Sequence, residues 1–416
     1  MEFQTTTLDN GLEIIAEIND AARSTALGFF VRTGSRDETD EIAGVSHFLE
    51  HMVFKGSERR DAETVNRELD ELGGVSNAFT AEETTAFYAK TLPELTDRAI
   101  ELFGDMLRPA LRTADFEMEK NVILEEIKMY EDQPPFGIDE KCREFFFAGH
   151  PLARSVLGTR ESVSALTVDQ MREYFERRYS PTNVVFAATG QIDFDRLVRR
   201  VDEACGAWKP FETSRESWRA IGKRETRVVK RESATQEYAL QLVDAPAAGD
   251  DDRFAAAILA VVLGDDVGSR LFWELVDSGR ADSATTSFVD FSDAGFFCSS
   301  LCCRPEDVVE NVETMREILT GARAEGIRED ELERAKNKLR TRIALSAERP
   351  QSRLFSIGCE WLTTRRRRSV ADDLKIVQET TLDEIAATME KYPFDNPFSI
   401  AVGPADSIER GGAAAV

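Results

Sequence analysis

Apolar residues recur along this chain with two periods, and the changes between them mark its elements. Phe3–Leu8 and Leu12–Ile18 are apolar-rich runs flanking Asp9-Asn10-Gly11, the signature of a strand–turn–strand hairpin. Ala26–Thr33 (ALGFFVRT) predicts another strand. The spacing turns helical over Ile42–Phe54 and again over Asp61–Leu72, where Gly73-Gly74 stops it. Val75–Tyr88 is strand-like, Leu95–Leu107 is an amphipathic helix, and Phe116–Glu131 is a longer helix ended by Pro134-Pro135. Val168–Tyr179 (helix), Ser180–Asn183 (loop), Val184–Gly190 (strand) and Phe194–Cys205 (helix) complete the first half.

A charged, apolar-poor stretch, roughly Lys209–Lys230, interrupts the pattern, and the order then restarts. Glu237–Val243 predicts a strand, Asp252–Leu263 and Ser269–Val276 predict helices, and Ser287–Leu301 predicts paired strands. Pro305–Ala324, Glu329–Leu345 and Val370–Glu390 are helical in period, Phe398–Val402 is a last short strand, and Arg410–Val416 reads as a frayed tail. The expected division is residues 1–212, a linker at 213–230, and 231–416, in two halves that hint at duplication. The fold class expected is α+β: two similar α/β sandwich domains, each a sheet with helices packed on one face.

Length and composition agree with this picture. A chain of 416 residues, 42 % of them hydrophobic, suits two domains of about 200 residues with real cores. No stretch approaches the roughly 18 consecutive apolar residues of a membrane span, and the N-terminus lacks a basic region followed by an apolar one. A cytoplasmic location is the default expectation, with no membrane partner. With 77 acidic against 52 basic residues, net −25, the chain is a poor match to nucleic acid and attracts cationic ligands, although solubility in a salty cytoplasm accounts for the charge equally well. The basic run Arg365–Arg368 reads as a solvated helix end or turn. Six scattered cysteines without a CxxC pair, in a chain this large with no secretion signal seen, argue against a disulfide framework.

The chemistry lies in Ser46-His47-Phe48-Leu49-Glu50-His51-Met52. Two of the chain's three histidines stand four apart, so on a helix both imidazoles share a face and can reach one metal ion. Glu50 follows His47 by three and can approach water on that ion as a general base. H-x-x-E-H is the inverzincin arrangement. Two surface histidines on an amphipathic helix are the plainer alternative. The case against it is a supply of third ligands: Glu119 and Glu126, seven apart on the Phe116–Glu131 helix, flank Val122 and Ile123 on a stripe expected to pack inward. Glu125 and Glu131 read as solvated.

These residues resemble the pitrilysin and mitochondrial-processing-peptidase family of inverted-motif zinc metallopeptidases, in its half-size form. HFLEHMVFKGS is followed by Glu126 in EKNVILEEIKMYED, and GGVSNAFTAEETTAFYAKTLPE, HPLARSVLGT and YSPTN…GQID continue the match in order over most of residues 5–195. The resemblance implies one Zn2+ per chain held by His47, His51 and Glu126, Glu50 as base, and Glu119 as a carboxylate that orients or tunes the site. It implies that Asn77, Ala78, Phe79 and Thr80 form an edge strand on which an extended peptide lies by main-chain hydrogen bonds. It also implies half of a clamshell, with 231–416 walling a substrate chamber, and a homodimer or a heterodimer with a related subunit. Glu83 and Tyr88 match further family positions without an assignable role, and His150 falls in a structural loop.

The C-terminal half departs from the pattern. Gly268-Ser269-Arg270-Leu271-Phe272 matches the family's second domain, but Val276 and Asp282 stand where active members carry an Arg and a Tyr that hold the peptide. Arg280 is the candidate replacement cation. The expected function is a zinc endopeptidase acting on peptides or unfolded segments. The rivals are a non-catalytic or partner-dependent subunit of a processing-peptidase-like complex, and a hydrolase of a non-peptide substrate.

Overall fold

The computed structural model describes residues 2–409, so the tail Arg410–Val416 lies outside the described residues. The chain forms two compact units that are not contiguous in sequence. The first holds the chain up to Met129, Arg154–Glu216 and Ser346–Arg367; the second holds Tyr130–Ala153, Ser217–Leu345 and the chain from Arg368 onward. Each half thus lends one segment to the other's unit, which the hydropathy pattern does not show.

In the first unit β1 (Glu2–Thr7), β2 (Glu13–Ile18), β3 (Thr25–Val31), β4 (Val75–Thr80), β5 (Thr85–Thr91) and β6 (Val184–Gly190) form one sheet in the order β1-β2-β6-β3-β5-β4. The Asn10-Gly11 hairpin is present: Gly11 takes φ 88°, and Asn10 Nδ2 donates to Cys205 O at 2.8 Å. Val75–Tyr88 resolves into two strands, because Ala81–Thr84 turns back and β4 pairs antiparallel with β5. Only β2 and β6 run parallel.

The sheet is covered on both faces. The alternate residues Ile14, Leu27, Phe29, Phe87 and Phe186 pack with helices Val45–Val53, Thr96–Met106 and Thr113–Asp132. Their strand neighbours Ile15, Ala26, Phe30, Ala86 and Val185 pack against Leu354 and Ile357 of the helix Pro350–Thr364. That helix explains why ALGFFV and VVFAATG are continuously apolar instead of alternating: every residue of β3 and β6 is buried. It is fixed by a buried two-pronged ion pair, Arg353 Nε and Nη2 to Glu17 Oε1 and Oε2 at 2.8 and 2.7 Å, and by Trp361 Nε1 to Glu13 Oε2 at 2.9 Å. The helix ends at Arg365, in the left-handed region at φ 55°, so the basic run is a helix end.

The second unit repeats the plan. β7 (Thr226–Lys230), β8 (Glu237–Asp244), β9 (Ser283–Asp290), β10 (Gly295–Cys303) and β11 (Phe398–Gly403) take the order β7-β11-β8-β10-β9, again with one parallel pair at the same place. Strand for strand this is the order β2-β6-β3-β5-β4, which gives the hint of duplication a topological form. Between β8 and β9 runs the apolar helix Arg253–Gly264, where the first unit carries its histidine motif. Phe146 of the lent helix Ile138–Phe146 packs on Phe398 and Phe296. The charged stretch is not a free linker: β7 lies in it, and Arg215, a residue of the first unit, is buried against Asp37 at 2.5 Å. Ser269–Val276 ends in one wide turn, Phe272–Val276, closed by Asp277 N–H to Phe272 O at 2.8 Å. All six cysteines are free. No helix among the described residues is long and apolar enough to cross a membrane.

Candidate metal centre

The motif helix, Val45–Val53, buries Val45, Phe48, Leu49, Met52 and Val53. Its N-terminus starts at Gly44 in the left-handed region, φ 90°, where a Cβ would meet Leu157 O at 2.6 Å, so only glycine fits. Gly44 has no side chain to cap the helix, and Glu38 does so instead: its two oxygens accept from Gly44 N and Ser46 N, both at 2.7 Å. Ser46 and Thr33 share the Tyr174 hydroxyl at 2.6 and 2.7 Å. These contacts fix the pitch of the helix under His47 and His51.

The second element is the helix Thr113–Asp132. Its buried stripe is Phe116, Glu119, Ile123 and Ile127. Val122, expected inside, is 49 % exposed, because it stands about 100° round the helix from Ile123. Glu125 and Glu131 are solvated, while Glu119 is buried and Glu126 half-buried.

Together these helices bring His47, His51 and Glu126 to one point, with one ligand atom from each within 4.8 Å of the others. Both Nε2 atoms lie 3.8 Å from the same Glu126 Oε2, beyond hydrogen-bond range. One ion about 2 Å from each atom fits that gap, and two imidazoles with one carboxylate are a zinc-type donor set. His51 Nδ1 meets Glu119 Oε1 at 3.0 Å, which leaves Nε2 free to point at the gap.

The electrostatics suit such a site. Burial, with His51 close by, lowers His47 to about 4, so its ring is neutral and able to ligate near pH 7. Burial also pulls His51 down, but the hydrogen bond to Glu119 and the carboxylates of Glu126 and Glu50 outweigh it and leave its pKa raised. Burial raises Glu50 against an opposing hydrogen bond from Thr80. Glu119 resists burial and stays low, because His51 and Lys55 both bond it.

Thr80, the last residue of β4, donates its hydroxyl to Glu50 Oε2 at 2.6 Å. Among the described residues β4 pairs with β5 alone, so its other side is a sheet edge carrying Asn77, Ala78, Phe79 and Thr80. Asn77 is exposed, with its Oδ1 accepting from Ala78 N at 2.9 Å, and Phe79 packs edge-on to Phe355. Lys55 and Glu38 are the site residues that sequence reasoning overlooked. Lys55 lies within the quoted motif, four residues after His51, and that spacing is the one sign of it.

Other expectations resolve as structural. Glu83 accepts from Arg36 at 2.7 Å, and Tyr88 packs edge-on to Phe355. His150 is buried, bonded to Trp218 O and Leu152 N at 3.1 Å each. Arg280 is not a spare cation: its guanidinium bonds Glu310 Oε1 and Thr314 Oγ1 at 3.0 Å each. Asp282 accepts from Gln236 at 2.7 Å.

A histidine pair and a glutamate gathered by two helices under a mixed sheet, with a second carboxylate beside them, define an inverted-motif metallopeptidase architecture. The profile described as Insulinase (Peptidase family M16) matches residues 13–160, and that described as Peptidase M16 inactive domain matches 165–339. An uncharacterized zinc protease of Streptomyces coelicolor is 34 % identical, covering 96 % of this chain and 89 % of the relative. A probable mitochondrial-processing peptidase subunit beta of Arabidopsis thaliana is 26 % identical over 97 % of this chain and 78 % of its own length. The crystal structure of a protease from Helicobacter pylori shares the fold at a TM-score of 0.89, with 20 % identity, 97 % of this chain and 99 % of that one. This chain belongs to peptidase family M16, the insulinase family.

Proposed function

We propose that this chain is a zinc-dependent endopeptidase of peptides or unfolded protein segments, with His47, His51 and Glu126 as ligands and Glu50 as general base. The convergence of those three side chains on one point, with Glu50 three residues after His47, carries the reading. Zinc in such a site lowers the pKa of water to about 7 and polarises a carbonyl. Glu50, half-buried and held by Thr80, takes the proton of the attacking water at a carboxylate oxygen and passes it to the leaving amine. Glu119 fixes the His51 tautomer. The free edge of β4 binds an extended peptide by backbone N–H and C=O groups, so recognition depends on backbone and shape more than on side chains.

The same reading makes residues 231–416 the wall of a substrate chamber in half of a clamshell, with a homodimer or a related subunit completing it, in the cytoplasm. A second reading, a partner-dependent or non-catalytic subunit, draws support from the engaged Arg280, from Val276 and Asp282, and from the relative named as a subunit. Zinc content and cleavage of quenched fluorescent peptides, for wild type and Glu50→Gln, decide between them. The peptidase reading expects about one zinc per chain in both and cutting by the wild type alone. Zinc without cutting in the wild type favours the partner-dependent subunit. No zinc at all defeats the ligand assignment.

A further inference from the structure

Behind His51 stands a chain of two more side chains. Glu119 uses one carboxylate oxygen on His51 Nδ1 at 3.0 Å and the other on Lys55 Nζ at 2.5 Å. Glu119 is 6 % exposed, so these partners replace most of the water it has lost. Lys55 sits just past the motif helix and is itself tethered. Its N–H bonds Met52 O at 3.1 Å, and its carbonyl accepts from Arg112 Nη1 at 3.3 Å. Arg112 immediately precedes the helix that carries Glu119 and Glu126. Lys55 therefore joins the two metal-bearing helices twice, once through its backbone and once through its ammonium.

We propose that Lys55 is a positioning residue for the metal centre, locking Glu119 in the rotamer that accepts from His51 Nδ1–H and so aiming His51 Nε2 at the ion. The proposal rests on the reading of His47, His51 and Glu126 as ligands. Lys55 acts on a bound cation in two opposed ways. As a nearby positive charge it repels the ion; as the anchor of Glu119 it prepares a ligand. Its removal leaves a buried carboxylate with one partner, free to turn toward the ion, and that turn loses the bond that orients the imidazole. Positioning therefore predicts weaker metal binding without Lys55, and charge alone predicts tighter binding.

The sign of the change is the test. Zinc dissociation constants are measured by competition with a chromogenic chelator for wild type, Lys55→Met, Lys55→Arg, Glu119→Gln and the Lys55→Met/Glu119→Gln double variant. Thermal melts of the chelated proteins establish folding. Lys55→Met is expected to weaken zinc about tenfold or more, and Lys55→Arg to stay within about threefold of wild type. In the Glu119→Gln background, Lys55→Met is expected to add nothing, since Lys55 acts through Glu119. If Lys55→Met does not fold, Lys55→Gln carries the same comparison of sign. Unchanged or tighter zinc binding, or an equal loss with and without Glu119, overturns the proposal while leaving the ligand reading intact. A wild type that binds no zinc overturns both.

Discussion

Thr80 donates its hydroxyl to Glu50 Oε2 at 2.6 Å, tying the end of an open sheet edge to the carboxylate beside the candidate metal centre. Among the described residues the strand pairs on one side only, through β5, so its other side keeps backbone groups unpaired by any described strand. One residue thus belongs both to the surface where a peptide strand can add and to the group proposed to move the proton. A substrate laid along β4 would be in register with Glu50 because Thr80 is common to both.

Thr80→Val, which keeps the shape and loses the donor, is expected to lower kcat about tenfold, since a hydrogen bond to a charged group is worth about 1.5–3 kcal/mol. KM is expected to change little, because the backbone of β4 is untouched. Thr80→Ser is expected to keep most activity. Steady-state kinetics on a quenched peptide check this, and an unchanged kcat in Thr80→Val would refute the role.

Removal of zinc is expected to affect stability as well as cutting. The three groups gathered by two helices include a carboxylate, and a bound cation links those helices. At free zinc about 100-fold above its dissociation constant, the folded state gains about 2.7 kcal/mol. Dialysis against 1,10-phenanthroline is expected to lower the melting temperature and abolish cleavage, with both restored by stoichiometric zinc. A melting curve indifferent to zinc would contradict the ligand assignment.

The candidate metal centre was legible in part because its signal is local. His47 and His51 are one turn apart, and Glu119 and Glu126 repeat over two turns of one helix, so periodicity placed each pair on a face, while the choice of Glu126 as ligand came from the family resemblance. Glu38 was not legible and Lys55 showed only its four-residue spacing from His51, since each works by a contact made only on folding. The helix Pro350–Thr364 was missed for a different reason. Its partner strands lie far away in sequence, with Arg353 meeting Glu17 across 336 positions. Its one trace was indirect, in the continuous apolar character of β3 and β6. Val122 misled because adjacent helical residues face about 100° apart, and Ile123 alone points inward.

That distant contact makes a prediction of its own. Arg353 and Glu17 are each almost fully buried, so removal of one strands the other's charge. Arg353→Met is expected to destabilise the protein by about 3–5 kcal/mol in denaturant unfolding. The double variant Glu17→Leu/Arg353→Met, which buries no charge, is expected to recover much of that loss. Additive losses in the double variant would show that the two residues are not coupled.

The cap of the motif helix titrates in an accessible range. Glu38 is 3 % exposed, and burial pushes its carboxyl up to about 8, against the bonds from Ser46 and Gly44 that pull it down. Between its ordinary value of 4.5 and about 8, the folded protein holds a proton that the unfolded chain has released. The stability this proton confers is therefore fully present below about pH 4.5 and is lost as pH rises to about 8. Glu38→Gln has nothing to titrate there. Its unfolding free energy in zinc-free buffer is expected to fall less steeply between pH 5 and pH 8, by up to about 1.4 kcal/mol per pH unit. Chemical denaturation of both proteins across that range measures the two slopes. Equal slopes would mean that Glu38 caps the helix as a carboxylate throughout, with the two backbone N–H groups and the helix dipole holding its charge.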